Sequence, residues 1–282
     1  ARPALEGERT VEVCIVGAGF TGLSAAIELA ERGHEVMVLE AAKVGWGASG
    51  RNGGQIVNGL IAGLDTIGRR YGQDTADFVA TVVQEGGRII RDRVARYGIA
   101  CNLKEGNLFT AFTARQMREL EAKQALWRQH GIDNFELLDA AGVRRHVTSE
   151  SYAGGMLDRT GGHLHPLNLA LGEAAALEAL GGSIHEESPV VRVEDVAGRP
   201  VVRTASGVVR PDVLILAGNA YLGEVVPEIA DRGMPFSTQV MATEPLGERG
   251  RALLPTDLCV EDVRYVLDYY RLSGDGRMLW GG

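Results

Sequence analysis

The sequence predicts a mixed α/β fold, α+β overall, in which two sheets of different kinds are interleaved along the chain. A short apolar run at 11–16 precedes several glycines and then a helical apolar pattern that ends near Gly33. A second apolar run at 36–39 follows, which is the order of a strand–helix–strand unit. Later segments have strand composition and end in a hairpin signal at 273–276, which indicates a second, mainly antiparallel sheet.

The first strand leads directly into three glycines, Gly17, Gly19 and Gly22, with G-x-G-x-x-G spacing. In this spacing the first glycine permits a tight turn, the second lets a pyrophosphate approach the backbone, and the third lets helix and strand pack closely. The helix N-terminus offers unpaired N–H groups to the phosphates. Glu40 ends the second strand, where a carboxylate can accept hydrogen bonds from a ribose diol. The pattern predicts a Rossmann-like dinucleotide-binding unit; the alternative is an ordinary βαβ unit whose glycines serve packing only.

A glycine-rich segment, VGWGASGRNGGQIVNG at 44–59, follows Glu40 at once. Glycine loses the most backbone entropy on ordering, so neither a helix nor a central strand favours this composition. A nicotinamide enzyme usually continues with helices and parallel strands, whereas a flavin needs backbone close to its long ribityl chain and ring system. The segment therefore favours FAD, and a flexible surface loop is the alternative. Four of its side chains can supply donors and acceptors: Ser49, Arg51, Asn52 and Gln55.

The remaining elements are predicted from periodicity and turn residues. Helices are expected at 73–96, at 115–130 and from Pro166, which suits a first helical turn, to about residue 180. Strands are expected at 107–113, 188–193, 237–246 and 265–272. Residues 152–158 should form a strand leading to a Gly-Gly-His-Leu-His loop, and residues 211–223 a strand, a Gly-Asn turn and a helix.

Five stretches together resemble the FAD-dependent oxidoreductases grouped with D-amino-acid oxidase, glycine oxidase and monomeric sarcosine oxidase. They are IVGAGFTGLSAAIELAERGHEVMVLEA (15–41), GWGASGRNGGQ (45–55), GGHLHPLNLALGEAAALEALGG (161–182), LAGNAYLG (216–223) and LDYYRLSGDGRMLWGG (267–282). Within that group, GASGRNGGQ is most similar to the gamma-glutamylputrescine oxidases. Arg51-Asn52-Gly53-Gly54 differs from the corresponding stretch of the sarcosine oxidases, so their substrate-carboxylate contacts are not carried over.

The resemblance implies a non-covalent FAD, because no cysteine stands where the sarcosine oxidases attach their flavin. It places Val190 and Val191 against the adenine half of FAD, with plain core valines as the alternative. The predicted cofactor-binding residues are Gly17, Gly19, Phe20, Thr21, Gly22, Glu40, Ala41, Gly47, Ala48, Ser49, Arg51, Asn52, Gly53, Gly54, Gln55, Val190, Val191, Ala217, Gly218 and Asn219.

The resemblance also implies dehydrogenation of a C–N bond in a small primary or secondary amine, either gamma-glutamylputrescine-like or an amino acid. A hydride would pass to flavin N5, the imine would hydrolyse to an aldehyde and ammonia, and dioxygen would be reduced to hydrogen peroxide. One alternative is a dehydrogenase that passes electrons to a carrier. Another is a flavin-binding fragment or subunit without activity of its own.

Candidate catalytic side chains are few, because the flavin carries the difficult step. Tyr269 and Arg271 should share one face of a strand and Tyr270 the other, so that one face looks onto the substrate. Sheet packing is the alternative for both tyrosines. His163 and His165 lie in the expected loop and lack a further metal ligand. We expect them to cap the helix or line the cleft, with acid–base catalysis as the alternative, and His165 is therefore also a cleft candidate.

The predicted domains are discontinuous. Residues 8–72 and 156–232 should form the FAD-binding domain, and residues 73–155 and 233–282 a substrate domain whose sheet covers the flavin. Members of the family continue well past the point that matches residue 282. We therefore expect that their C-terminal part is missing from these residues.

Composition excludes several other classes of function. The net charge of −8 disfavours a nucleic-acid binder, which would need a basic stripe. No apolar run has the length of a membrane span, and residues 1–10 are polar and lack an apolar core, so we expect no secretory leader. The three cysteines are scattered and lack metal-ligand spacing, which suits a reducing cytoplasm and predicts no metal site.

Overall fold

Residues 2–60, 62–230 and 232–282 are described by the structure, which is a computed structural model. The strands, in chain order, are β1 (Gly7–Val16), β2 (Val36–Leu39), β3 (Gln55–Ile56), β4 (Lys104–Ala111), β5 (Phe135–Asp139), β6 (Gly154–His163), β7 (Ser183–His185), β8 (Arg192–Val196), β9 (Arg199–Arg203), β10 (Gly207–Leu216), β11 (Val240–Pro245), β12 (Cys259–Asp262), β13 (Tyr269–Leu272) and β14 (Arg277–Gly281). The helices are α1 (Phe20–Glu31), α2 (Leu64–Tyr71), α3 (Gln73–Arg96), α4 (Ala114–Gln129), α5 (Ala140–Arg144), α6 (Pro166–Ala179), α7 (Pro227–Ala230) and α8 (Glu248–Leu253).

The chain divides into two compact units. The first contains the residues up to Asn52, Tyr97–Cys101 and Pro166–Ser237, and the second contains Gly53–Arg96, Asn102–His165 and Thr238–Gly282. Residues 53–72 and 156–165 thus fall in the second unit, whereas the predicted domains group them with the first. The cofactor and substrate roles of the predicted domains stay predictions.

The first unit is built on a sheet of order β7-β2-β1-β10-β9-β8. Strand β1 runs parallel to β2 and β10, as the strand–helix–strand pattern predicts. On one face, Val13 and Ile15 of β1 pack with residues of α1 and α6. On the other face, Cys14 and Val16 pack with Met37 and other apolar residues. Burial on both faces explains why β1 is a nearly continuous apolar run.

The second unit is built on a sheet of order β11-β14-β13-β12-β4-β6-β3, with β5 also paired to β6. Only the β12–β4 pair among these described strands is parallel. The expected mixed fold with a second, mainly antiparallel sheet is therefore confirmed. Helix α4 begins with a capping box in which Thr113 Oγ1 accepts from the Gln116 amide.

Several predicted elements differ from the structure. Residues 188–191 are not a strand: Pro189 has no N–H to donate, and the Ser188 and Val191 amides donate to Glu40 O and Arg203 O. Strand β6 continues to His163, so the predicted loop shrinks to its last residues. The helix expected near residue 220 is only a 3-10 turn at Asn219–Tyr221.

Other differences concern the start of one predicted strand and several elements that the sequence left unassigned. Strand β13 begins at Tyr269 rather than at residue 265. Strand β5, helix α2 and the β8–β9 hairpin were not predicted. The hairpin turns through Ala197 and Gly198, which both have positive φ, and Val201 and Val202 are its only buried residues.

In the described part of the chain, no helix combines the length and the apolarity that a membrane crossing requires.

Candidate FAD site

The turn between β1 and α1 requires glycine at two positions for different reasons. Gly17 has φ of +109°, and a Cβ there would lie 2.7 Å from the carbonyl oxygen of Ala217. A Cβ on Gly22 would lie 1.9 Å from the carbonyl oxygen of Gly17. The first position thus needs left-handed backbone and the second needs close contact between helix and turn. Both are the roles that the G-x-G-x-x-G spacing predicts.

The N-terminus of α1 is capped from the glycine-rich segment. Gly19 is the N-cap residue and has no side chain to offer, but Ser49 Oγ accepts a hydrogen bond of 2.9 Å from the amide of Phe20. A Cβ on Gly19 would lie 2.8 Å from Ser49 Oγ. Ser49 therefore stands at the positive end of the helix dipole with its hydroxyl hydrogen still available to a ligand.

Glu40 connects the turn between β1 and α1 to the turn that follows β2. One carboxylate oxygen accepts from the amide of Ala18 at 2.8 Å, and the other accepts from the amide of Ala42 at 2.9 Å. Each carboxylate oxygen can accept a second hydrogen bond, and the side chain is half-buried. Glu40 can therefore hold both turns and still accept hydroxyl groups from a ligand.

Two aromatic side chains, Trp46 and Tyr221, lie in contact next to the glycine-rich segment. The Trp46 ring meets Tyr221 edge-on, with centroids 6.0 Å apart, and the Arg51 guanidinium lies 4.3 Å from the Trp46 centroid. Gly47 lies against the Tyr221 ring, which a Cβ would approach to 3.1 Å. Both rings are largely exposed.

These residues enclose a cavity of about 390 Å³, here called the glycine cavity. It brings together eleven of the predicted cofactor residues: Gly17, Gly19, Glu40, Ala41, Gly47, Ala48, Ser49, Val190, Ala217, Gly218 and Asn219. Its lining also includes residues that the prediction missed: Val16, Ala18, Leu39, Ala42, Gly45, Trp46, Ser188, Pro189, Tyr221, Leu222 and Val225. Trp46 and Gly45 could have been found, since they stand inside the glycine-rich segment.

Some predicted cofactor residues of the first unit do not line the glycine cavity. Phe20 and Gly22 pack inward in the first turn of α1, and Thr21 is exposed. Asn52 donates to the carbonyls of Ala48 and Ser49, which closes the 3-10 turn. Val191 is exposed, unlike Val190, because residues 188–191 do not form the predicted strand.

The rest of the glycine-rich segment lies in the second unit, beside β13. Arg271 Nε donates to the carbonyl oxygen of Gly53, and the amide of Leu164 donates to the carbonyl of Gly54 at 2.8 Å. A Cβ on Gly53 would lie 2.5 Å from the Tyr269 ring. Tyr269 and Arg271 therefore share one face of β13 and both touch Gly53. Gln55 Nε2 donates to the carbonyl of Val260 at 3.4 Å.

The other catalytic candidates are placed apart from Gly53. Tyr270 is on the opposite face of β13, stacked on Trp280 at 4.7 Å and hydrogen-bonded to the Tyr152 hydroxyl at 2.8 Å. Burial, together with that bond, raises its pKa. His165 is exposed immediately before α6. The histidine that the structure buries is His163, whose Nε2 donates to the carbonyl of Asp257 at 2.7 Å.

The lining of the glycine cavity fits the adenosine and pyrophosphate part of FAD. Gly17 and Gly19 could let phosphates approach the backbone at the N-terminus of α1, and Ser49 could donate to them. Glu40 could accept hydrogen bonds from the ribose hydroxyls. Among the described residues, no group of three or more metal-ligating side chains is brought together.

Comparison with known proteins decides the family. The model of the family described as DAO, FAD dependent oxidoreductase, matches residues 12–282. This chain belongs to the DAO family of FAD-dependent oxidoreductases. Its cofactor is accordingly FAD, as the sequence predicts.

Two curated members of this enzyme family are similar over nearly the whole chain. The gamma-glutamylputrescine oxidoreductase of Escherichia coli strain K12 is 50% identical over 275 residues, which are 97% of this chain and 64% of that protein. The probable oxidoreductase OrdL of Haemophilus influenzae is 41% identical over 286 residues, which are 99% of this chain and 66% of that protein. This chain therefore spans slightly less than two thirds of the length of both relatives.

A solved structure has the same fold. Glycine oxidase from Geobacillus kaustophilus superimposes with a TM-score of 0.74 over 97% of this chain and 71% of that chain, at 20% identity.

Proposed function

We propose that this chain carries the FAD-binding part of an amine oxidase that deaminates the primary amine of an N-acylated diamine such as gamma-glutamylputrescine. The observation that carries the proposal is the 50% identity, over 97% of the chain, with the gamma-glutamylputrescine oxidoreductase of Escherichia coli. FAD, when bound, supplies a two-electron oxidant for the carbon that bears the amine.

The residues of the first unit would hold the cofactor without a covalent bond. Glu40 would accept from the ribose hydroxyls, while Ser49 and the first turn of α1 would bind the pyrophosphate. Cys14, Cys101 and Cys259 are fully buried, and burial raises the pKa of Cys14 and Cys259 to about 12. Thiols held in this state are poor nucleophiles, which supports non-covalent binding, and their reduced form suits the cytoplasm as the compartment.

In the second unit, we place the reacting end of the substrate beside Gly53, a predicted cofactor residue that Tyr269 and Arg271 both contact. Tyr269 is half-buried on the face of β13 that touches Gly53, so its ring could shape the space for the amine. Arg271 is 3% exposed and donates to the carbonyls of Gly53 and Leu272. It would position the Gly53 segment rather than bind the substrate. Tyr270 faces away and would take no part.

An anaerobic screen tests the function. The purified FAD-bound protein is mixed without oxygen with gamma-glutamylputrescine, putrescine, glycine and sarcosine, and the visible flavin band is followed. Gamma-glutamylputrescine should bleach it fastest. In air, hydrogen peroxide and the aldehyde should then form in equal amounts. The reactive amine must be neutral, so turnover should rise with pH towards its bound-state pKa.

The same screen separates the alternatives. Bleaching by amines with no peroxide in air would assign the protein to the dehydrogenases that use an electron carrier. A flavin that no amine bleaches would exclude both kinds of amine oxidation.

A further inference from the structure

One face of the second unit's sheet carries a row of side chains that leads away from Gly53. Phe109 of β4 is paired with Glu261 of β12, and Glu261 is paired with Tyr269 of β13. Directly paired residues place their side chains on the same face. Adjacent strands are about 4.8 Å apart, so Phe109 and Tyr269 are separated by about 10 Å along this row.

At the Phe109 end of the row, helix α4 supplies a cation. The ammonium nitrogen of Lys123 lies 4.1 Å from the centroid of the Phe109 ring. Across the part of the chain that the structure describes, Lys123 forms neither an ion pair nor a hydrogen bond. Burial lowers the pKa of Lys123. The carboxylates of Glu261 and Asp158, which form no ion pair with it, raise this pKa by a smaller amount. Three N–H donors are thus left for a partner that the protein does not provide.

Lys123 lines a cavity of about 440 Å³, here called the α2–α4 cavity. Leu64, Leu126 and Trp127 contribute its apolar walls. Two carboxylates also line it, and each is already paired on its own helix: Asp65 with Arg69 at 2.8 Å, and Glu119 with Arg115 at 3.1 Å. Lys123 is therefore the charged group among these lining residues that has no ion-pair partner.

We propose that the α2–α4 cavity binds the α-amino-carboxylate head of the substrate, with the carboxylate on the Lys123 ammonium. This inference rests on the proposed function, because a gamma-glutamyl amine carries such a head at the end opposite to the reacting amine. The carboxylate supplies the anion that Lys123 lacks. The ammonium of the head could share the carboxylates of Asp65 and Glu119 with their arginine partners, Arg69 and Arg115.

The length of the substrate agrees with the separation of the two ends of the row. Nine bonds connect the α-carbon of the head to the terminal nitrogen in gamma-glutamylputrescine. An extended chain of about 1.25 Å per bond spans about 11 Å. That is close to the distance from Phe109, under Lys123, to Tyr269, which touches Gly53. The head site would select acylated diamines by holding the end that does not react.

Removing the charge of Lys123 tests the proposal on the FAD-bound protein. Lys123→Met keeps an unbranched side chain as far as the ε position and removes the ammonium group with its three N–H donors. We expect a KM for gamma-glutamylputrescine that is about ten- to a hundredfold higher, as for the loss of a charged hydrogen bond. The kcat, and the KM for N-acetylputrescine, which has no head, should stay within about twofold. Lys123→Arg should restore most of the affinity. Arg118→Met, on the exposed side of the same helix, should change the KM for neither substrate.

A binding measurement makes the test independent of turnover. Calorimetry with N-(gamma-glutamyl)-n-butylamine, a butylamide that has the head but no terminal amine, should give weaker binding to Lys123→Met than to the parent protein. N-Butylacetamide, which lacks the head, should bind both proteins equally. If Lys123→Met raises the KM for both acylated substrates equally, or for neither, the head site is wrong although amine oxidation stands. If no amine is oxidised but the butylamide still binds through Lys123, the proposed function is wrong and the head site stands.

Discussion

Arg271 donates a hydrogen bond from Nε to the carbonyl oxygen of Gly53, 218 residues earlier in the chain. The guanidinium is 3% exposed, and burial lowers its pKa. Arg271→Met should leave the buried Gly53 carbonyl without this donor, at a cost of about 1–3 kcal/mol in the free energy of unfolding. Urea unfolding measures the loss, and the visible flavin spectrum should shift if Gly53 moves. An unaltered unfolding midpoint together with an unaltered spectrum would contradict this role.

Glu40 should set the affinity for FAD. Glu40→Gln replaces one acceptor oxygen by an amide group that faces the amide of Ala18 or of Ala42. We expect FAD to bind about ten- to a hundredfold more weakly, and Glu40→Ala should behave similarly. Fluorescence titration of the apoprotein measures the affinity. Glu35→Gln, on an exposed glutamate nearby, is the matched control. Equal FAD content in all the purified variants would mean that Glu40 has no role in binding.

Gly19 is required for space rather than for backbone freedom, because its φ of −88° suits any residue. In Gly19→Val the new side chain would meet Ser49 Oγ, displace it from the Phe20 amide and enter the glycine cavity. FAD binding should therefore fall further than in Glu40→Ala. Equilibrium dialysis against FAD measures it, and Gly19→Ala should be intermediate. Retention of stoichiometric FAD by Gly19→Val would refute the placement of the pyrophosphate.

Replacing either of two adjacent glycines of α3 by alanine should change the stability of the protein, but in opposite directions. Gly86 is exposed, and a Cβ there meets nothing within 4 Å, so Gly86→Ala should stabilise the helix by about 1 kcal/mol. A Cβ on Gly87 would lie 2.8 Å from Oδ1 of Asn58, which is buried and donates to Asp158 and Thr160. Gly87→Ala should destabilise the protein by about 1–3 kcal/mol. Thermal unfolding of the two variants checks both signs, and a shared sign would be inconsistent with this packing of α3.

Stability should depend on pH through His163. Burial lowers the pKa of His163 from 6.5 to about 4; the cation of Arg271 acts in the same direction, and the carbonyl of Asp257 opposes it. Between these values the unfolded chain binds a proton that the folded protein does not. The contribution of His163 to the free energy of unfolding should therefore be constant above about pH 6.5. Below that pH it should fall, by up to about 3 kcal/mol towards pH 4.

Urea unfolding at pH 7 and at pH 4.5 measures the effect. His163→Asn should be less stable at pH 7 and should lose a smaller part of its stability on acidification. His165→Asn, on an exposed histidine, should keep the pH dependence of the parent protein. The same slope in all three proteins would exclude His163 as its source.

The elements that the sequence predicted well are those whose information is local. The β1–α1–β2 unit and α3 follow from apolar periodicity over one segment. Their bounds agree closely with the structure, except that β1 begins at Gly7 rather than at residue 11. Residues 188–191 misled the prediction because their valines suggest a strand while Pro189 prevents one. Helix α2 was missed because it follows a glycine-rich stretch and has only Leu64 and Ile67 as buried residues.

By itself the sequence determined the tight turn between β1 and α1 and the place of Glu40 directly after β2, and from these it predicted a dinucleotide at this edge of the sheet. The spacing of Gly17, Gly19 and Gly22 has that meaning in any βαβ unit, since steric demands on a turn are local. Only the tertiary structure decided that Ser49 caps α1, that Arg271 supports Gly53, and that Lys123 stands over Phe109 beside a cavity. The orientations of Arg271 and Phe109 depend on which strands pair and in what register, and a pairing shifted by one residue would turn these side chains to the opposite face of the sheet. Ser49 reaches α1, and Lys123 reaches Phe109, from segments outside the strands.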